Sequence, residues 1–125
     1  MNILMQVALG GAIGAVLRFG TVQGVVRLFG VAVPVGTFTV NVVGSFVMGL
    51  AVVWLVERAG GVRMAPFVMT GILGGFTTFS AFSLEAFTLF ERGQVMQAAS
   101  YVLFSVTLSI AALILGVWIA RGVWA

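Results

Sequence analysis

The stretch TGILGGFTTFSAF, residues 70–82, lies in the middle of a segment apolar enough to cross a bilayer. It nevertheless holds three glycines, three threonines and a serine. Gly71, Gly74 and Gly75 make a helix easy to unwind, because glycine has no Cβ and favours open backbone. The hydroxyls of Thr77 and Thr78 compete for backbone partners. The pattern GG-x-T-T-x-S predicts an interruption of a membrane helix; the alternative is a continuous helix whose glycines serve packing. Inside a bilayer, unwound backbone is tolerated only where protein or a cavity satisfies the released carbonyls and amides. Carbonyls converging on one place then offer a site for a hard cation such as Na⁺.

The rest of the chain supplies the membrane setting. Of its 125 residues, 62% are hydrophobic and 7% charged, with a mean hydropathy of +1.24. A soluble domain has about 45–50% apolar and about 25% charged residues, so this chain lacks the polar surface to face water on all sides. No cleavable leader is expected, since a charged opening region is missing and the apolar character never stops. Four runs approach the ~20 residues that span a bilayer: about 3–26, 35–56, 65–90 and 95–120. Pro34 and Pro66 open the second and third, where a missing N–H costs little. Arg27, Glu57-Arg58, Glu91-Arg92-Gly93 and Arg121 mark their ends. Trp54, Trp118 and Trp124 fall near ends as well, at the depth that amphipathic rings favour. The expected fold is all-α: one membrane domain of four transmembrane helices, residues 1–125, with a break in the third.

Charge and missing residue types exclude several functions. The six arginines (18, 27, 58, 63, 92 and 121) are scattered rather than clustered, which points to membrane interfaces and away from nucleic acid. Cysteine and histidine are absent, removing thiol chemistry, disulfides and the usual zinc or haem ligands. No nucleophile–base pair and no phosphate-cradling Gly-Lys motif is present, so no enzyme is expected.

The polar residues inside the spans carry the functional argument. Arg18 lies well inside the first run, where an arginine costs roughly 2.5–3.5 kcal/mol at a helix centre. It either snorkels to the nearer interface or puts a positive charge at a water-filled mouth. Asn41 has an amide that can bind an anion or fasten a neighbouring helix, the commoner use. Phe79, Phe82 and Ser83 are three and four apart, and so share a helical face. Such rings usually form core or lipid contacts, but a positive ring edge can also face an anion. Tyr101, Ser105 and Ser109 follow at i+4 steps and line up three hydroxyls. Glu85, one turn beyond the Phe/Ser face, suits a helix partner, a mouth residue or a proton carrier. Donors with almost no buried negative charge favour a small anion as cargo.

A resemblance sharpens this. GGFTTFSAFSLE, residues 74–85, resembles the hallmark of the Fluc (CrcB) fluoride channels, roughly GG-hydrophobic-[ST]-T-F-S-T-F-S-x-E. GGAIGAVLRF (10–19) and PVGTFTVNVVGS (34–45) look like that family's first- and second-helix segments, and the Tyr101, Ser105, Ser109 spacing is similar to its fourth-helix track. The resemblance implies an antiparallel, dual-topology homodimer in the inner membrane, with two pores that passively export F⁻. It implies that Phe79 and Phe82 meet fluoride through ring edges, and that Asn41, Ser83, Tyr101, Ser105 and Ser109 line the pore. It further implies that Arg18 stands at the vestibule, and that the Gly74 and Thr77 carbonyls of both subunits hold a central structural Na⁺. Ala81 departs from the pattern, which usually has threonine there. The alternative is a small multidrug exporter coupled to protons, also a four-helix dual-topology dimer, but one relying on a glutamate in its first helix. That helix here has Arg18 and no acid. An assembly or scaffold subunit would need neither the break nor the hydroxyl face.

Orientation follows from arginine asymmetry. With four spans, one side carries Arg58, Arg63, Arg121 and the N-terminal amine, the other Arg27 and Arg92. So slight a bias lets the chain insert both ways up, and two opposed copies could pair. The glycines of Gly10-x-x-x-Gly14 and Gly20-x-x-x-Gly24 suit either packing within one subunit or a seam between two. Impermeant labelling of each terminus in intact cells is expected to find both termini on both sides; one exclusive orientation would rule out dual insertion.

Overall fold

The computed structural model describes residues 2–31, 34–58 and 60–124. Every regular element among them is helical: α1 (Ile3–Phe29), α2 (Val35–Ala51, continued by wider π-type turns over Val52–Glu57), α3 (π-type Pro66–Leu73, continued by Gly74–Phe76), α4 (Ser80–Glu91) and α5 (Val95–Trp124). A single 3₁₀ turn, Val62–Met64, leads into α3. Four stretches are long and apolar enough to span a membrane, and the third of these, Val62–Glu91, contains both α3 and α4. The protein is therefore multi-pass, with an interrupted third span.

Local chemistry sets the ends. The Asn2 side chain caps α1 by accepting from the Met5 N–H at 2.8 Å, which satisfies one of the orphan donors of the first turn. Gly30 closes α1 at φ 81°, a conformation that a side chain would strain, and its N–H donates to Val26 O at 2.7 Å. Pro66 sits in the first turn of α3. Trp54 and Trp118 are exposed; the Met1 amine and the Trp124 side chain lie outside the described residues.

Little of the apolar surface is inside. Val40 and Val53 are the largest fully buried side chains among those described. Two small clusters complete the core: Phe82, Leu89, Ala98 and Tyr101, and Ala51, Leu55 and Leu73. Lipid tails are as apolar as leucine, so burial in a membrane gives helices little reason to associate, and close backbone contact takes over. The glycines provide it. A Cβ on Gly10 would strike the Phe67 carbonyl, and one on Gly14 the Ile72 carbonyl. One on Gly71 would lie 2.8 Å from the Gly10 Cα, and one on Gly75 2.7 Å from the Gly11 carbonyl oxygen. These contacts press α1 onto α3. Gly49 against the Leu113 carbonyl and Gly116 against the Phe46 carbonyl do the same for α2 and α5.

The first GxxxG pair therefore works inside one subunit. The second does not, because a Cβ on Gly20 or Gly24 would meet nothing within 4 Å. At one end of the bundle, Arg121 grips Glu57 through Nη2 at 2.9 Å and Nε at 3.1 Å, joining the ends of α5 and α2. Exposed pairs of this kind contribute about 0–1 kcal/mol, so the glycine contacts decide the packing. Gly14→Val is expected to cost about 1–3 kcal/mol through overpacking against fixed backbone, and Gly20→Ala to leave the subunit fold intact. Unfolding followed by tryptophan fluorescence in detergent checks both.

Candidate functional site

The interruption falls at Thr77–Phe79. Thr77 turns to extended backbone at ψ 160°, and α4 restarts at Ser80. One side chain from another span accounts for the geometry. Asn41, on α2, accepts from the Thr78 N–H through Oδ1 at 2.8 Å and donates to the Thr78 carbonyl through Nδ2 at 2.9 Å. An amide carries a donor and an acceptor side by side, and so can satisfy a backbone N–H and C=O together. Thr78 Oγ1 then caps the restart by accepting from the Ala81 N–H at 3.2 Å.

These bonds divert donors from two carbonyls. In a continuous helix Thr78 N–H would donate to Gly74 O, and Ala81 N–H to Thr77 O. Both donors are engaged elsewhere. The break thus strips the regular partners from the carbonyls of Gly74 and Thr77, the pair that the sequence resemblance singles out for a cation. Such hard, neutral oxygens fit an alkali ion. Among the described residues, no group of three or more His, Cys, Asp or Glu could hold a metal.

Beside the break lies a cavity of about 300 Å³, lined by Asn41, Ser45, Thr77, Phe79, Phe82, Ser105 and Ser109, among others, with no charged side chain. The sequence reading thus finds several of its candidates side by side. The Phe79 and Phe82 rings are 5.5 Å apart and tilted by 50°. Phe79, at 76% exposure, stands on the open side of the cavity, whereas Phe82 is buried and meets Tyr101 at 5.2 Å. The Oγ atoms of Ser105 and Ser109 and the Tyr101 hydroxyl are buried, with no hydrogen-bond partner among the described residues. One Glu85 carboxylate oxygen is in the same state.

Three candidates lie apart: Tyr101 lines a separate cavity with Phe38, Leu89 and Phe104, and Ser83 and Arg18 line neither. Ser83 is exposed and donates to the Phe79 carbonyl at 2.9 Å, the back-bond common to helical serines. Arg18 is half-exposed on α1 and does not line this cavity. Two further residues escaped the sequence reading. Ser45 lines the cavity, and buried Thr37 stands beside both Glu85 and Tyr101. Their signal is plain in retrospect: Thr37, Asn41 and Ser45 follow at i+4 steps on α2, the spacing that also aligns Tyr101, Ser105 and Ser109 on α5.

The chain is thus a four-span membrane protein with an uncharged cavity between its second, third and fourth spans. The chain belongs to the CrcB-like family: the family model described as "CrcB-like protein, Camphor Resistance (CrcB)" matches residues 5–117. It is 62% identical over 119 residues to a protein of Cereibacter sphaeroides named fluoride-specific ion channel FluC, covering 95% of this chain and 94% of the relative. A relative of the same name from Roseobacter denitrificans is 56% identical over 126 residues, 99% of each chain. Another, from Hyphomonas neptunium, is 47% identical over 127 residues and covers the whole of both. These are names of channels rather than enzymes.

Asn41→Ala removes both bonds to Thr78 at once. Each buried backbone group left unsatisfied costs about 1–3 kcal/mol. The variant is expected to lose stability on that scale, and the Thr78 amide to exchange hydrogen much faster, as read by mass spectrometry.

Proposed function

We propose that this protein is a fluoride-selective channel that passively exports F⁻ across the cell's inner membrane. The observation that carries the proposal is the row of buried hydroxyls on α5, of which Ser105 and Ser109 have no hydrogen-bond partner among the described residues and Tyr101 has only Thr37 near it. A buried O–H without an acceptor is costly, and a small anion passing along Tyr101, Ser105 and Ser109 would satisfy each in turn. Fluoride is small and strongly hydrated. Its water must be replaced at close range, by groups that hold it too weakly to trap it. Hydroxyls, the spare N–H of Asn41 and the positive edges of Phe79 and Phe82 meet that requirement. The uncharged cavity lining sets no fixed charge against the ion. Ser83 joins the path when its hydroxyl swings away from the Phe79 carbonyl. The names of the relatives support fluoride as the ion carried.

The pore is completed by a second copy, inverted in the membrane. Phe79 is too exposed to serve as an internal wall of one subunit, and the open Gly20-x-x-x-Gly24 face leaves room for close approach by a neighbour. Slight charge bias permits the inverted insertion. At the centre of such a pair, the Gly74 and Thr77 carbonyls of both subunits would hold Na⁺. The bound ion supplies positive charge that favours an anion nearby. Arg18 holds a further positive charge at the mouth of the path. A proton-coupled drug exporter gains no support, since α1 has no acid.

Purified protein in liposomes tests this with a fluoride electrode and chloride as the control. The expected outcome is rapid F⁻ efflux and no Cl⁻ efflux; absence of F⁻ efflux would reject the function. Phe82→Ile is expected to slow efflux by about tenfold or more, equal to at least 1.36 kcal/mol of barrier, while the dimer survives on size exclusion. Undiminished flux in that variant would remove the rings from the path. Replacing Na⁺ with a large organic cation should weaken flux, and indifference to the swap would remove the cation site.

A further inference from the structure

The end of the bundle where α1 and α3 begin contains a cavity unrelated to the ion path. It measures about 750 Å³, within the range of about 300–1,000 Å³ typical of small-molecule sites. Ile3 and Gln6 of α1 line it together with Val62, Arg63, Met64, Pro66 and Phe67 from the turn before α3 and its first residues, and Arg63 is exposed. Ile3, Val62 and Met64 are exposed, so the cleft opens outward rather than into the bundle.

Charge at this end is unbalanced. Glu57 is the sole acidic side chain in the segment between the second and third spans or after the fourth, and Arg121 already holds it. Among the described residues, Arg63 and Arg58 have no acidic partner. A guanidinium offers a fixed fork of donors that matches a phosphate with two bonds. The walls ask for something different, namely methylene groups. A single ligand that supplies both is an amphiphile with an anionic head, and one surrounds every membrane protein.

We propose that this cleft is a binding site for an anionic phospholipid, with the phosphate on Arg63 and the first part of an acyl chain along Ile3, Met64 and Phe67. A free phosphate would leave the apolar walls bare, and a neutral zwitterionic lipid would bring a cation against the arginine. The site depends on the chain spanning a membrane, and is independent of which ion it conducts.

Native mass spectrometry of the detergent-purified protein, with equimolar phosphatidylglycerol and phosphatidylcholine added, tests the assignment. Wild type should retain phosphatidylglycerol with a preference of about fivefold, as expected for one arginine near the membrane surface. Arg63→Gln should abolish the preference, Arg63→Lys should keep part of it, and Arg27→Gln, at the opposite end, should leave it intact. Met64→Trp, which fills the cleft without touching charge, should lower retention. Equal retention of both lipids by wild type overturns the proposal. So does an undiminished preference in both Arg63→Gln and Met64→Trp, or an equal loss in Arg27→Gln. Displacement of the lipid by free glycerol phosphate would assign the cleft to soluble phosphates and overturn the lipid assignment.

Discussion

Everything at the centre of this protein depends on one side chain filling a place that a helix would otherwise fill for itself. By bonding both the N–H and the carbonyl of Thr78, Asn41 makes an interruption tolerable in the middle of a membrane span. Without it, the cheapest structure for residues 70–90 would be an unbroken helix, because an orphaned backbone group in lipid costs several kcal/mol. With it, α4 can start at a new angle. Phe79 and Phe82 then stand beside the cavity, and two carbonyls lose their customary donors. The geometry of the site is thus the by-product of satisfying the two backbone groups of a single residue.

The second constraint is steric. A chain with this little buried apolar volume cannot rely on a large core, so it brings backbones together. Gly10, Gly14, Gly71 and Gly75 seat α1 on α3, and Gly49 and Gly116 seat α2 on α5. Gly44 belongs to the same scheme, since a Cβ there would collide with the Thr77 methyl and close the space beside the break. Glycine in this protein serves mainly to remove the side chain that would hold helices apart; Gly71, Gly74 and Gly75 stay helical, and the chain leaves the helix only after them, at Thr77.

Much of this was legible beforehand, for identifiable reasons. The four spans follow from hydropathy and length, which act over ~20 residues and tolerate local error. The interruption was legible through the adjacent threonines, but its place was not: Gly71, Gly74 and Gly75, expected to unwind, remain helical and pack, and the break falls just after them at Thr77–Phe79. The partner of the break was less so. Asn41 could be named as a fastener or an ion contact, but nothing in a linear chain says that its target is Thr78, 37 residues away. The hydroxyl face of α5 was visible by its period. The matching face of α2 is harder to see, because Thr37 and Ser45 are short hydroxyls that also occur singly in membrane helices. The back-bond of Ser83 also lay out of reach, since rotamer choice depends on which acceptors surround the finished helix.

The backbone contacts between α2 and α5 have a thermodynamic consequence. A pump or exchanger must rock one group of helices against another, presenting its site to each side in turn. Bare peptide seated on bare peptide, as at Gly49 and Gly116, resists such sliding, because every ångström of travel drives a carbonyl into a neighbour's chain. A scaffold so interlocked suits a still path better than a rocking one. In the channel proposed above, the ion would run downhill at a pace set by that fixed wall rather than by its motion.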